Sequence, residues 1–210
     1  MVDFNKITEG VIQGDSTVTL ALVRAALDSS IPAKDILEKG LIPGIKKVGD
    51  LFGAGEYFLP ELLVSGEAML DAVKILEPEL AKGDIPPKGK FLIGTVQGDV
   101  HDIGKNIVVM MLKGNGWKVT DLGVDLSPEA FCSAVKEGDY DIVGLSALLT
   151  MTMPSAVQTL EALKVAGLRD KVKVVIGGAP VTKEWADEIG FDGFASDANE
   201  AVRISEALIT

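Results

Sequence analysis

The chain has one histidine, one cysteine and an aromatic content of only 5% in 210 residues. With Cys132 as the sole cysteine, an intrachain disulfide and a cysteine-based metal site are both excluded. Its setting, EAFCSAVKEG, reads as helix and predicts a small core residue there. Cations are also scarce: 20 Lys and Arg face 31 Asp and Glu, giving a net charge of −11. Phosphate binding depends on clustered Lys and Arg, so no nucleic-acid partner is expected. No apolar run approaches the roughly 18 residues of a membrane span, and MVDFNKITEG lacks the charged-then-apolar order of a secretory signal. These absences predict a cytoplasmic chain with no membrane partner. What is abundant is apolar surface, 47% of residues, enough for one large core or two small ones.

The stretch KGDIPPKGK, residues 82–90, collects two prolines, two glycines and several charges, and reads as a linker. It predicts a helical domain at 1–83, a linker at 84–89 and a second domain at 90–210. Before the linker the pattern is helical throughout. Asp15 or Ser16 is placed to cap a helix with Val18, Leu22, Ala25 and Ala26 on one face. Leu41, Ile45, Val48 and Phe52 form a second stripe. Leu59, Leu62, Leu63, Leu70, Val73 and Leu76 form a third, running to about Leu80. With a shorter helix near residues 3–13, the expectation is a four-helix bundle.

After the linker the period changes. FLIGTV, WKVTDLG, DIVGLSA and KVVIGG are short apolar runs rich in Val and Ile, as buried parallel strands are. Helical segments lie between them near 104–115, 127–138, 153–167 and 181–189; a short FDGFA and a final helix near 197–209 follow. Five alternations of strand and helix predict a doubly wound α/β domain with a five-stranded parallel sheet. In the flavodoxin-like order 2-1-3-4-5 its ligand site lies at the carboxyl ends of the strands, at the switch point.

The single histidine lies in GDVHDIGKN, in the loop leaving the first strand. Ser146 ends the third strand and Gly177–Gly178 end the fourth, so the topology brings these residues to one sheet edge. One imidazole cannot build a structural zinc site, which takes about four protein ligands. Ser146 is not in a G-x-S-x-G elbow, and a hydrolase triad would need its own histidine. A phospho-receiver would carry an aspartate where Ser146 stands. One histidine suffices if a macrocycle, corrin or haem, supplies the equatorial ligands of a metal. Asp99 is then placed to accept a hydrogen bond from the other ring nitrogen, and Ser146 to extend that relay to Asp99. The competing reading is a loop that only caps a helix through Asp102, with the glycine pair a plain strand-to-helix turn.

Asp99-x-His101-x-x-Gly104, then Ser146-x-Leu148, then Gly177-Gly178 resembles the cobalamin-binding signature D-x-H-x-x-G…S-x-L…G-G. Forty-one residues separate Gly104 from Ser146 and 28 separate Leu148 from Gly177, spacings typical of that family. GDVHDIGKNIV is similar to the matching stretch of cobalamin-dependent methionine synthases. VGDLFGAGEYFLPELLVSGEAM is similar to the helical cap that covers the cofactor in those enzymes. The nearest likeness is to small corrinoid proteins of methyltransferase systems serving methylamines, methanol, betaines or aryl methyl ethers.

The resemblance implies cobalamin as cofactor, cycling between Co(I) and methylcobalamin, with His101 as lower axial ligand in place of the cofactor's own base. It implies cofactor contacts at Gly98, Asp99, Val100, His101, Asp102, Ile103 and Gly104, and a channel for the displaced nucleotide tail lined by Ser146, Leu148 and Thr150. Gly177 and Gly178 permit close approach, and Ala198 meets the channel near the last helix. Phe52 and Leu59 match the apolar residues over the methyl-bearing face, and Glu38 matches a cap carboxylate. A chain of this length has no room for substrate and reactivation domains. The donor methyltransferase, an acceptor methyltransferase using a folate or a thiol, and a reductive activator are therefore expected as separate proteins. Two other uses of the motif are a subunit of an adenosylcobalamin mutase and a cobalamin-dependent sensor or regulator. The methyl-type cap stands against the first, and the lack of a basic DNA-binding module against the second.

Overall fold

The computed structural model describes residues 3–82 and 87–210, with the side chains of Glu77, Ala81 and Lys82 left aside. Residues 83–86, which carry most of the expected linker, lie outside the described residues. The chain forms two compact units: the helices up to Lys82 together with Lys113–Gly116, and the remainder from Lys88 to Thr210.

The first unit contains α1 (Phe4–Ile12), α2 (Ser16–Asp28), α3 (Ala33–Ile36), α4 (Ile42–Gly53) and α5 (Leu59–Lys82). A π-helical turn, Leu37–Leu41, joins α3 to α4 without a break, so four rods result. Asp3 and Asp15 cap α1 and α2, their carboxylates accepting from Asn5 N at 3.0 Å and Val18 N at 2.9 Å. The π turn adds one residue to the helical repeat, which lets Ile36 and Leu41 both reach the core. Thr8 on α1 donates its hydroxyl to Gly40 O at 2.8 Å, partnering a carbonyl inside that turn. Ile7, Val11, Val23, Ile45, Val48, Leu62, Met69 and Leu76 complete a fully buried core.

Two faces differ from the sequence expectation. The buried face of α2 is Thr19, Val23 and Ala26, whereas Val18 and Ala25 are exposed. The cause is the close approach of α1: a Cβ on Gly10 would lie 2.6 Å from Thr19 Oγ1, so a small side chain faces the neighbour. On α5, Leu62 and Leu76 are buried, but Leu59 and Leu63 are exposed. The apolar stripe therefore continues onto the surface at the start of that helix.

The second unit alternates β1 (Lys90–Thr95), α6 (Ile103–Gly114), β2 (Lys118–Asp121), α7 (Pro128–Glu137), β3 (Ile142–Ser146), α8 (Met153–Val165), β4 (Lys173–Gly177), α9 (Lys183–Ile189), β5 (Gly193–Ala195) and α10 (Ala198–Leu208). All strand pairs are parallel and the order is β2-β1-β3-β4-β5. The expected α/β fold is thus present, with its switch point between β1 and β3. β1 and β3 are buried along almost their whole length, as central parallel strands must be. Phe131 and Leu160 pack there with Leu92, Val143, Leu145 and Ile176, and Cys132 joins this core as a small buried residue. Among the described residues, no helix is long and apolar enough to cross a membrane.

Candidate functional site

One row of register crosses the carboxyl edge of the sheet: Thr95 pairs Ser146, Ser146 pairs Gly177, and Gly177 pairs Ala195. The loop from β1 to α6 leaves this row at Val96, whose amide donates to Ser146 O at 3.0 Å. A tight turn follows, with Gly98 at φ +83° and Asp99 N donating to Val96 O at 3.1 Å. A left-handed residue is needed there, which favours glycine. The turn drives Asp99 inward, where it is fully buried, and leaves His101 with its side chain about half exposed (48%).

The Asp99 carboxylate is saturated with donors. Oδ1 accepts from His101 N at 3.1 Å and lies 2.7 Å from His101 Nδ1. Oδ2 accepts from Leu148 N at 2.7 Å, Leu149 N at 3.3 Å and Thr152 Oγ1 at 2.8 Å. Burial acts to raise the Asp99 pKa. Donation from His101 N, Thr152 Oγ1, the His101 ring and Leu148 N outweighs it and holds the carboxyl well below its ordinary range. An ionised carboxylate only accepts, so His101 Nδ1 carries a proton, and in the neutral ring Nε2 is the nitrogen with the lone pair. The relay behind His101 therefore ends at Thr152, not at Ser146. Ser146 reaches Asp99 through no hydrogen bond, because strand pairing holds it in the register row while the following turn carries Thr152 back beneath the carboxylate.

The loops that carry Asp99, His101 and their partners expose several large apolar side chains. Val100 and Ile103 are 67% and 65% exposed, Met151 is 88% exposed, and Leu148 and Leu149 lie beside them. Large side chains grouped in this way mark a ligand or partner surface. A Cβ on Gly104 would meet nothing within 4 Å, so that glycine opens onto free space at the start of α6. Gly178 has a different reason: at φ +138° its Cβ would lie 1.9 Å from Ala147 O, so the protein's own backbone forbids a side chain. Gly177 is crowded by Ala195 O at 3.0 Å. Thr150 is exposed on the loop after β3, and Ala198 is buried at the first position of α10 behind the Asp197 cap.

Asp102 precedes α6 and accepts from Asn106 Nδ2 at 3.1 Å. One turn further on, Lys105 is buried, its ammonium paired with Asp121 of β2 and bonded to Asn106 Oδ1 at 2.9 Å. That pair, with only its lysine buried, fastens α6 to the edge strand.

In the helical unit, Phe52 is half-buried and Leu59 is 39% exposed, so neither belongs to the fully buried core. The turn between them is held by Tyr57, whose hydroxyl donates to Ile12 O at 3.0 Å. Phe58 and Leu63 extend the exposed apolar surface of this turn. Glu38 lies in the π turn, exposed, with Lys34 at 3.8 Å.

Two family models, each described as a B12 binding domain, match residues 89–203 and 3–77. A corrinoid protein of Desulfitobacterium hafniense (strain Y51) is 42% identical over 208 residues, 98% of this chain and 96% of the relative. The trimethylamine corrinoid protein of Methanosarcina barkeri is 43% identical over 199 residues, covering 94% and 92%. Among solved structures, a cobalamin-binding protein from Desulfitobacterium hafniense DCB-2 superposes with TM-score 0.85 at 33% identity, covering both chains fully. The methanol:cobalamin methyltransferase complex of Methanosarcina barkeri gives TM-score 0.84 at 29% identity, over 98% of this chain and 79% of that one. The chain belongs to the B12-binding corrinoid proteins.

The cofactor of this corrinoid protein is a cobalamin. The residues present fit it: an imidazole turned outward, an apolar floor for the macrocycle, and open space over Gly104. Three features of this sheet edge escaped the sequence reading. Thr152 and the amides of Leu148 and Leu149 complete the Asp99 shell, Lys105–Asp121 anchors α6, and Met151 adds to the exposed apolar side chains. The available signal for Thr152 was its position just before Met153-Pro154, a helix start at which Ser or Thr is favoured.

Proposed function

We propose that this corrinoid protein is a methyl carrier in which His101 Nε2 binds the lower face of cobalt. When bound, the cofactor supplies a cobalt centre that accepts and releases a methyl group. The observation that carries the assignment is the 2.7 Å contact of Nδ1 with buried Asp99, which leaves Nε2 as the outward-facing nitrogen. Asp99 fixes the tautomer and orientation of the ring, and Thr152 with the Leu148 and Leu149 amides fixes Asp99. Val100, Ile103 and Leu148 exclude water from the lower face. Gly98, Asp102, Gly104, Ser146, Thr150, Gly177, Gly178 and Ala198 complete the proposed contacts of the ring and its nucleotide tail. Within the proposed division, residues 1–83 form the cap domain and 90–210 the cofactor domain, joined by 84–89. Phe52 and Leu59 shield the methyl group, and Glu38 is the cap carboxylate.

Similarity to trimethylamine and dimethylamine corrinoid proteins, and to a chain in a methanol:cobalamin methyltransferase complex, supports a small methylated donor handled by a separate methyltransferase. An acceptor methyltransferase, passing the group to a folate or a thiol, and a reductive activator act in trans in the cytoplasm. Electron paramagnetic resonance of the Co(II) form, with ¹⁵N-labelled histidine, tests the ligand. Coupling to the labelled nitrogen is expected; coupling only to the benzimidazole of the cofactor would overturn the assignment.

A further inference from the structure

The loop carrying Asp99 and His101 is fastened along its outer side by the segment joining β2 to α7. Gly123 O accepts from Thr95 N at 3.0 Å, and Leu126 N donates to Thr95 O at 3.1 Å. Asp125 N donates to Asp99 O at 2.9 Å. Those three bonds are main chain and any residue could make them. The fourth is not: Asp125 Oδ1 accepts from Gly98 N at 2.8 Å. Asp125 thus grips two successive residues of the loop, one through its carboxylate and one through its own amide.

The backbone of Asp125 is itself unusual, with φ +54° in the left-handed region. Glycine occupies that region without cost, and aspartate and asparagine tolerate it better than other side chains. Asp125 is exposed and belongs to no core cluster, so burial gives no reason for a side chain here. Its carboxylate has one described hydrogen-bond partner, the Gly98 amide at the bend that turns Asp99 inward. On the inner side of the loop, Thr95 Oγ1 donates to His101 O at 2.9 Å. The ligand loop is thus held between a threonine from beneath and an aspartate from outside.

We propose that Asp125 is a positioning residue for the Asp99–His101 pair, acting through the Gly98 amide to set the direction of the imidazole. Its consequence at cobalt rests on the reading of His101 as axial ligand. Its consequence for the loop does not, and the two can be read separately. Asp125→Gly keeps the left-handed backbone and removes only the carboxylate. Asp125→Asn keeps both the backbone preference and an oxygen acceptor.

The full-length, cofactor-free protein is the first arm. His101 is the only histidine, so an imidazole ¹H–¹⁵N spectrum reports this one ring. The wild type is expected to show a single Nδ1-protonated tautomer, Asp125→Gly a tautomer mixture, and Asp125→Asn the wild-type spectrum. Exchange of the Gly98 amide with solvent is expected to be about tenfold faster in Asp125→Gly, with global unfolding unchanged. An unaltered ring spectrum and unaltered Gly98 exchange in Asp125→Gly would overturn the proposal. In the second arm, the same three proteins loaded with cob(II)alamin are compared by the strength of the histidine ¹⁵N coupling. Reduced coupling in Asp125→Gly, restored in Asp125→Asn, extends the role to the metal, and equal coupling in all three confines it to the cofactor-free loop. Absence of the coupling from the wild type itself overturns the ligand reading, while the first arm still decides the role of Asp125.

Discussion

The two ends of one parallel sheet are built by opposite rules. At the amino end, charged groups meet opposite charges: exposed Lys90 Nζ lies 2.7 Å from Asp139, and Arg169, partly buried, lies 2.8 Å from Asp192. Carboxylates there take the first strand amides, Asp141 accepting from Lys90 N at 2.7 Å and Asp192 from Val174 N at 2.6 Å. At the carboxyl end the arrangement is inverted, with a carboxylate buried, an imidazole turned outward and large apolar side chains left bare. The amino end pairs its charges with one another and with strand amides and finishes the sheet. The carboxyl end buries the Asp99 charge and exposes large apolar side chains, which suits the face of a broad ring with one coordination position to fill.

The strongest test of this contrast is Asp99→Ala. Removing the carboxylate leaves the amides of His101 and Leu148 without their acceptor and the Thr152 hydroxyl with only Leu149 O, and stability should fall by about 3–5 kcal/mol in urea titration. A loss below about 1 kcal/mol would show that the carboxyl end is as tolerant as the amino end.

Next in size is the pH dependence. The Asp99 carboxyl sits below its ordinary pKa when folded, so its contribution is complete above the ordinary carboxylate range and fades as pH falls toward the folded value. Urea midpoints should therefore fall progressively as pH drops below about 5, and Asp99→Asn should flatten that part of the profile. An identical profile in the variant would mean that other carboxylates govern acid unfolding.

His101→Ala should change stability by less than about 1 kcal/mol, because the ring is half exposed and leaves no cavity. The same variant should lose the histidine ¹⁵N coupling of the Co(II) form completely. Separation of the two readouts sharpens the comparison: the exposed imidazole would matter little to the fold, and the carboxylate beneath it a great deal.

The smallest effect belongs to the amino end. Hydrogen bonding and charge from Asp139 raise the Lys90 pKa, and Lys90 in turn lowers that of Asp139. Both groups are in solvent, where such pairs are screened. Lys90→Ala should leave the melting temperature unchanged within error, and a clear drop would give the amino end a structural importance its exposure denies.

The sheet order and the edge holding Asp99, His101, Ser146 and Gly177 were legible because strand alternation and topology fix them without side-chain detail. The partner of Asp99 was not. Thr152 lies 53 residues away in sequence and reaches the carboxylate only because the chain turns back after β3. Ser146 drew the reading instead because it ends the strand and matches the family motif. In the helical unit the rods were legible from periodicity, but their inward faces were less so. Thr19 is buried and Val18 exposed because the contact at Gly10 selects for size, and hydropathy carries no information about how closely two helices approach. Leu59 and Leu63 continue an apolar stripe that in most helices would end in a core.

The π turn at Leu37–Leu41 sets the phase of everything after it in its rod. Each α-helical residue advances by about 100° around the axis, so one residue added to a turn rotates all that follows by that amount. Ile45, Val48 and the half-buried Phe52 owe their orientation to this single inserted position, well upstream of them. A one-residue deletion anywhere in 37–40 would swing Ile45 and Val48 about a quarter-turn out of the core and carry Phe52 to another side of the rod. The length of this segment is as much a part of its coding as its residues, and a substitution scan alone would never reveal it.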